Sequence, residues 1–407
     1  MPSQQVTSAP YAPAFAERAR GGFDLPLPED GSRDAIGRWV DRHAGDLLRR
    51  VSEDAPALDL SGTPLPREVM VEAARRGLLS ASLPRSVGGL GMSLQAWGRA
   101  LERIGYLCDD ASFALNISLF QAVANAILDG GDAGLIERYV VPVCTARRLL
   151  AFAYTEEMDA FSMQSSLRPR GGDYVVSGTK VMVTAGAVAD SYMTYVRNES
   201  TGDMAVVMID RDDRGVQVQP IETMGLRSNG LASLHLDSVH VSRERVIRLE
   251  NGLDHVQDFL NPRRGILCCA PIGRMQRILD ECVKMLSQTV RQGAPLTSMQ
   301  VIQARLGRMQ MKVHSARALI DAALSEMHEF SDLFVEMIST AKHEITESAI
   351  AVALESIRLT GARGYAHANH FERYLRDLCG LISGAGSQDV LELNLGAIAA
   401  ARLGARA

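Results

Sequence analysis

Two histidines, His367 and His370, stand three residues apart in the stretch GARGYAHANHFERYLRD (361–377), just past a long helical pattern that a glycine ends. A neutral imidazole accepts a proton and an imidazolium donates one near pH 7, so either residue could carry general acid–base chemistry. The plainer alternative, a solvated histidine or one satisfied by a core hydrogen bond, stays open for each. A second titratable cluster, Glu156, Glu157 and Asp159, lies in TEEMDAFSM (155–163). It reads either as an acid–base centre led by Glu156 or as a helix cap or solvated turn. Metal chemistry is not expected: the nine histidines show no H-E-x-x-H or comparable ligand spacing. The six cysteines, at 108, 144, 268, 269, 282 and 379, form no C-x-x-C pair. They read as reduced, buried thiols of a cytoplasmic protein rather than as a zinc site or disulfide framework.

The elements that must position these groups come in three blocks. The 407 residues are 46% hydrophobic and 22% charged, enough chain for two or three units around a large core. A net charge of -5 gives no electrostatic reason to expect nucleic acid or an anionic membrane as partner. No uninterrupted run of 18 apolar residues suggests a membrane span, and residues 1–30 read as a mobile tail without the apolar core of a secretory signal. Residues 31–150 show helical periodicity, as in AIGRWVDRHAGDLLRRV and SLQAWGRALERIGYL. Residues 151–250 switch to short β-rich runs separated by Gly, Asn and Asp turns: DYVVSGTKVMVT, DSYMTYVRN, MAVVMID, GVQVQPI and LASLHLDSVHVS. They predict a small antiparallel barrel or sandwich. Helical period returns over 251–407, where Ile302, Leu306, Met309, Val313, Ala316, Ile320, Ala323 and Met327 form one apolar stripe. Breaks near 329–336 and 361–369 divide this block into a four-helix bundle, and the stripe predicts core packing plus a subunit contact.

Helices, β-domain, helices is an order that resembles the acyl-CoA dehydrogenase family, an α+β, mostly α fold, and local sequence resembles it along about 370 residues. GLLSASLPRSVGGLGMS (77–93) is similar to the family's Gly-Leu … Pro-x-x-x-Gly-Gly-x-Gly segment, LIERYVVPV (135–143) to the helix before the β-domain, and Tyr154-Thr155-Glu156 to the opening of the flavin loop. SGTKVMVTAGAVAD, MGLRS (224–228) and LDSVHVSRERV resemble later parts of the β-domain. The stretch 361–377 keeps Gly364, Tyr365, Glu372 and Arg376-Asp377. Six pieces in the right order imply the fold and not the reaction.

In that family FAD lies between the β-domain and the bundle beside an acyl thioester. A glutamate removes the α-proton while the β-hydrogen leaves as hydride. Counting from Gly364-Tyr365 places the family's base at Ala368, and a minority of relatives place it where Arg263 stands; neither is an acid. The resemblance assigns FAD contacts to Thr155, Met182, Thr184, Gln300, Arg358, Gly361 and Ser387, and substrate contacts to Arg227 and Tyr365. It makes Arg376-Asp377 a structural ion pair. Several family anchors have changed. The Gly-Ser-Asp of the flavin loop has no counterpart around Met158–Ala160, an aromatic is Met182, an Arg and a Phe become Thr289 and Gln292, Gln-x-x-Gly-Gly becomes Arg358-Leu-Thr-Gly361-Ala362, and Glu-Gly-Thr becomes Ala385-Gly386-Ser387. Each lost charged hydrogen bond is worth roughly 1.5–3 kcal/mol. FAD is therefore expected to bind weakly or not at all as purified. The expected protein is a homodimeric or homotetrameric enzyme acting on an acyl thioester, on CoA or a carrier protein, in bacterial, polyketide-type biosynthesis. Flavin-independent dehydration, isomerisation or cyclisation is favoured over α,β-dehydrogenation, with His367, His370 and Glu156 as the catalytic groups. Two alternatives remain: a flavin oxidoreductase (a dehydrogenase with a displaced base, or a two-component monooxygenase of the same fold) and a non-catalytic partner subunit.

Overall fold

A computed structural model of the chain describes residues 25–28, 30–158, 163–329 and 332–404. Most of the expected N-terminal tail lies outside these residues, as do Asp159 and Ala160. The first block holds α1 (Arg33–Ser61), α2 (Arg67–Arg75), α3 (Leu94–Leu107) and α4 (Ala111–Asp129). Their starts are chemically marked. Ser32, Ser93 and Asp110 accept the backbone N–H of Ala35, Ala96 and Phe113, each satisfying a donor with no partner inside its helix. By length and composition α4 could cross a membrane, although polar residues interrupt its apolar run. Its most apolar stretch is 78% buried, so that composition serves the protein core.

The β-domain is one eight-stranded sheet: β1 (Leu150–Ala153), β2 (Ser166–Arg170), β3 (Asp173–Val183), β4 (Ser191–Asn198), β5 (Met204–Asp210), β6 (Val216–Pro220), β7 (Ala232–Val241) and β8 (Val246–Arg248). The order is β6–β7–β3–β2–β4–β5–β8, with β1 added beside β4. The alternating runs correspond to β3 to β7. The sheet is not wholly antiparallel, because β1 and β2 each pair in parallel with β4. Both strands were too short, and β2 (SLRPR) too polar, to announce themselves by alternation. The β3–β7 register slips between Lys180 and Val183, and Met182 sits in that irregularity with φ 55°. Such a bulge re-aims a side chain out of the pleat.

The last block contains α5 (Gly252–Ser287), α6 (Gln300–Glu329), α7 (Asp332–Thr360), α8 (Phe371–Cys379) and α9 (Gln388–Gly404). α5 is the hub, packing on α3, α4, α6 and α7. Its backbone meets that of α3 directly: a Cβ on Gly273 would lie 1.8 Å from Glu102 O, and one on Gly105 2.0 Å from Ala270 O. The predicted stripe is buried from Met309 through Ala323 within this one chain, where α6 lies against α7 and α5. That corrects the expected subunit contact, because the chain's own bundle already covers these side chains.

Candidate functional site

Where α3, α4 and α5 meet the sheet and the 380–385 segment, they leave a cavity of about 540 Å³. Leu101, Gly105, Leu115, Phe152, Phe259 and Ala270 belong to its mainly apolar wall. Phe152 and Phe259 stack at 4.3 Å between ring centres, joining β1 to α5. Residues 223–226 and α8 complete the enclosure. An apolar wall of this kind strengthens the interactions between the charges it contains.

The charged groups are few and specifically held. Asp110 accepts the Phe113 N–H at 3.2 Å and the Ser228 hydroxyl at 2.6 Å, and burial raises its pKa. Asp377 accepts the Leu226 N–H on Oδ1 at 2.7 Å. Burial, opposed by that hydrogen bond and reinforced by the charge of Asp110, pushes the Asp377 carboxyl up to about 7, with Arg274 and Arg373 pulling the other way. Among the described residues its Oδ2 has no hydrogen-bond partner. Arg274 pairs with Asp109 at 3.4 Å and lies over the Tyr374 ring at 4.5 Å. Among the described residues the Tyr374 hydroxyl has no hydrogen-bond partner. Burial pushes the Cys108 thiol up to about 12, so it stays protonated. Arg376 also borders the cavity but does not pair with Asp377 as expected. It donates to Asp59 at 2.9 and 2.6 Å and to Glu372 at 2.7 Å. The two neighbours face different partners because successive helical residues point about 100° apart.

The residues of 361–370 do not line this cavity. Ala368 is exposed, and His367 is turned to the surface, its Nδ1 2.7 Å from Glu372 Oε1. His370 caps α8 in the left-handed region with φ 63°; burial and then Arg373 lower its pKa. Glu156 is committed elsewhere. It accepts Lys180 Nζ at 2.6 Å and the N–H groups of Gln164 and Ser165 at 2.7 and 3.1 Å. Burial opposes its ionisation, but the lysine and these donors hold its pKa below the usual carboxylate value. It is an ionised tie across the shortened loop. Glu157 lies beside it outside the cavity wall.

Of the residues expected at FAD, Thr155, Met182 and Thr184 line the cavity together. Gln300, Arg358, Gly361 and Ser387 do not. Arg358 is exposed and lies 3.7 Å from Glu355, while Thr289 is bonded by Arg363. The backbone N–H groups of Gln164 and Ser165, which a flavin loop would present, are taken by Glu156. Among the described residues, Thr155, Met182 and Thr184 leave room for a flavin ring on the sheet side, and none of the expected phosphate-side anchors lines the cavity with them. Arg227 and Tyr365, expected at substrate, are outside the wall too; Tyr365 is 79% exposed.

Sequence reasoning missed Asp377 as a cavity group because its neighbour Arg376 suggested an ion pair. It read Ala385 as part of a flavin anchor. Ala385 borders the cavity, tied by its carbonyl to Arg264 Nε at 2.9 Å. The spacing Arg376-Asp377 … Ala385-Gly386-Ser387 was the available signal.

Comparison with known proteins agrees with this architecture. Residues 36–147, 151–239 and 250–400 match the family descriptions "Acyl-CoA dehydrogenase, N-terminal domain", "middle domain" and "C-terminal domain". The benzylmalonyl-CoA dehydrogenase of Aromatoleum aromaticum is 26% identical, covering 91% of this chain and 97% of that protein. The L-prolyl-[peptidyl-carrier protein] dehydrogenase of Pseudomonas fluorescens is 26% identical over 77% of this chain and 85% of its own length. The solved butyryl-CoA dehydrogenase of Megasphaera elsdenii superposes with a TM-score of 0.84 at 23% identity, covering 89% and 97% of the two chains. With its three blocks in this order, and matches that run through all of them, the chain belongs to the acyl-CoA dehydrogenase superfamily, a family of enzymes.

Proposed function

We propose that this chain binds an acyl thioester, carried on CoA or on a carrier protein, and catalyses proton transfer at its α-carbon without passing hydride to flavin. Dehydration, isomerisation and cyclisation in bacterial biosynthesis, polyketide-type pathways included, are the reactions of this kind. The observation that carries the reading is the acid inventory of the cavity wall. The Glu-Gly-Thr position of relatives, Ala385 here, borders the cavity, whereas Ala368 does not. We therefore infer that the relatives' base belongs at Ala385 rather than at Ala368. Arg263 occupies the alternative position, so a carboxylate is missing at every assigned place.

Asp377 is the residue best suited to the vacated role. A carboxyl that titrates near neutrality exchanges protons efficiently in both directions. In dehydration its carboxylate would take the α-proton, and the resulting acid would return that proton to the departing β-hydroxyl, which leaves as water. In isomerisation the same proton would return to another carbon. Asp110, held by its two hydrogen bonds, is the neighbouring acid that helps to raise the Asp377 carboxyl. The apolar wall excludes water from the enolate.

A flavin oxidoreductase is the second reading, supported by Thr155, Met182 and Thr184 on one wall. Bound FAD would supply hydride acceptance there. Titration with FAD and an artificial electron acceptor separates the two. Unchanged flavin fluorescence and no acceptor reduction with acyl-pantetheine thioesters are expected; stoichiometric FAD with acceptor reduction would establish the second reading.

We further propose a homo-oligomer. The exposed apolar residues Val301 and Met311 on α6 and Val390 and Leu393 on α9 support it. A monomer by light scattering at micromolar concentration would refute it.

A further inference from the structure

The cavity wall carries three cations: Arg263, Arg274 and Arg376. Two are matched by acids, Arg274 by Asp109 and Arg376 by Asp59 and Glu372. Arg263 is not. Only 6% exposed, it donates from Nη1 to the Ser118 hydroxyl at 2.7 Å and from Nη2 to the Leu115 carbonyl at 3.4 Å, both neutral acceptors on α4. Among the described residues no carboxylate forms a salt bridge with it. One helical turn away on either side stand Phe259 and Leu267, which also line the cavity.

A guanidinium held in such surroundings has lost its hydration without gaining a counterion. It has five N–H donors in a planar fork, and its hydrogen bonds to Ser118 and Leu115 use one on each terminal nitrogen. Donors therefore remain for a further acceptor. Burial pushes the Arg263 pKa down to about 10, still a cation at neutral pH. A planar carboxylate matches the fork in charge, size and bidentate geometry.

We propose that Arg263 binds a carboxylate on the acyl group, so that the substrate is the monothioester of a dicarboxylic acid. This rests on the acyl-thioester reading above and narrows it. The free charge would select an acyl chain with a second carboxylate and reject a purely aliphatic one, since an aliphatic occupant leaves the cation buried and unpaired. The uncharged wall formed by Leu115, Phe259 and Leu267 would hold the methylenes between thioester and carboxylate.

The test is binding of a matched series of pantetheine thioesters to the full chain: malonyl, succinyl, glutaryl and adipyl against propionyl, butyryl, valeryl and hexanoyl. Pantetheine is common to CoA and carrier proteins, so the series does not depend on the carrier. Isothermal titration should show at least one dicarboxylic member bound about ten- to a hundredfold more tightly than its aliphatic partner, the scale of one charged hydrogen-bonded pair. Arg263→Met should erase that preference while keeping or improving butyryl binding, and Arg263→Lys should retain part of it. Equal binding of both classes by the wild-type protein, or an undiminished preference in Arg263→Met, overturns the inference and leaves the thioester reading standing. Binding of neither class overturns both. The wild-type comparison alone decides the matter if Arg263→Met does not fold.

Discussion

Asp377→Asn should make the protein more stable above neutral pH and change it little near pH 4. Asp377 is only 7% exposed, and its carboxyl titrates near 7 in the folded chain against an ordinary 3.8. Between these values the unfolded chain has released its proton while the folded chain retains it. Folding therefore takes up a proton, and stability falls as pH rises from about 4 to about 7, then levels off. The span of 7 minus 3.8, at 1.36 kcal/mol for each pH unit, gives a loss of about 4 kcal/mol as an upper figure. Asparagine keeps a carbonyl for the Leu226 N–H and has no charge to desolvate. Thermal unfolding of both proteins at pH 5, 6, 7 and 8 is the assay. The variant's advantage should grow from pH 5 to about 7 and level off towards pH 8. A difference that is flat with pH, or that favours the wild type at pH 8, would refute the reasoning, since it would mean that Arg274 and Arg373 already hold the carboxylate ionised.

Glu156→Gln should cost about 3–5 kcal/mol in unfolding free energy, because it leaves Lys180 buried without its counterion; a loss below about 1 kcal/mol would show a solvated pair. Gly273→Ala should lower the melting temperature strongly, since its Cβ would meet Glu102 O at 1.8 Å, while Gly307→Ala, with nothing within 4 Å and inside α6, should gain about 0.5–1 kcal/mol. Replacing His367 and His370 together with asparagine should leave turnover within a few-fold of wild type, because neither borders the cavity; a loss of about 10²-fold would restore them as the acid–base pair.

The strands β3 to β7 and the stripe on α6 were legible in sequence because one-sided burial imposes a period of two or of 3.6. Their partners were not. Whether Met309–Ala323 faces another subunit or α7 depends on chain path, which periodicity does not encode. The site was legible as a deficit, an acid missing from a family position, but not as a place. Counting forward from Gly364-Tyr365 led to exposed Ala368, since residues 361–370 form a surface connection between α7 and α8. Asp377 escaped notice for a related reason. Adjacency to Arg376 suggested a pair, and only the helix geometry, with Leu226 on one side and Asp59 on the other, separates them. Arg263 was visible as a cation in an acid's place. That no carboxylate among the described residues pairs with it could be learned only from its neighbours.

The most direct test of the account is exchange of the α-hydrogens of an acyl-pantetheine thioester with deuterium oxide, followed by NMR on protein freed of flavin. Deuterium incorporation by the wild-type protein is expected, with a loss of about 10²-fold or more in Asp377→Asn. Exchange that appears only after FAD is added, or that is untouched by Asp377→Asn, would contradict it.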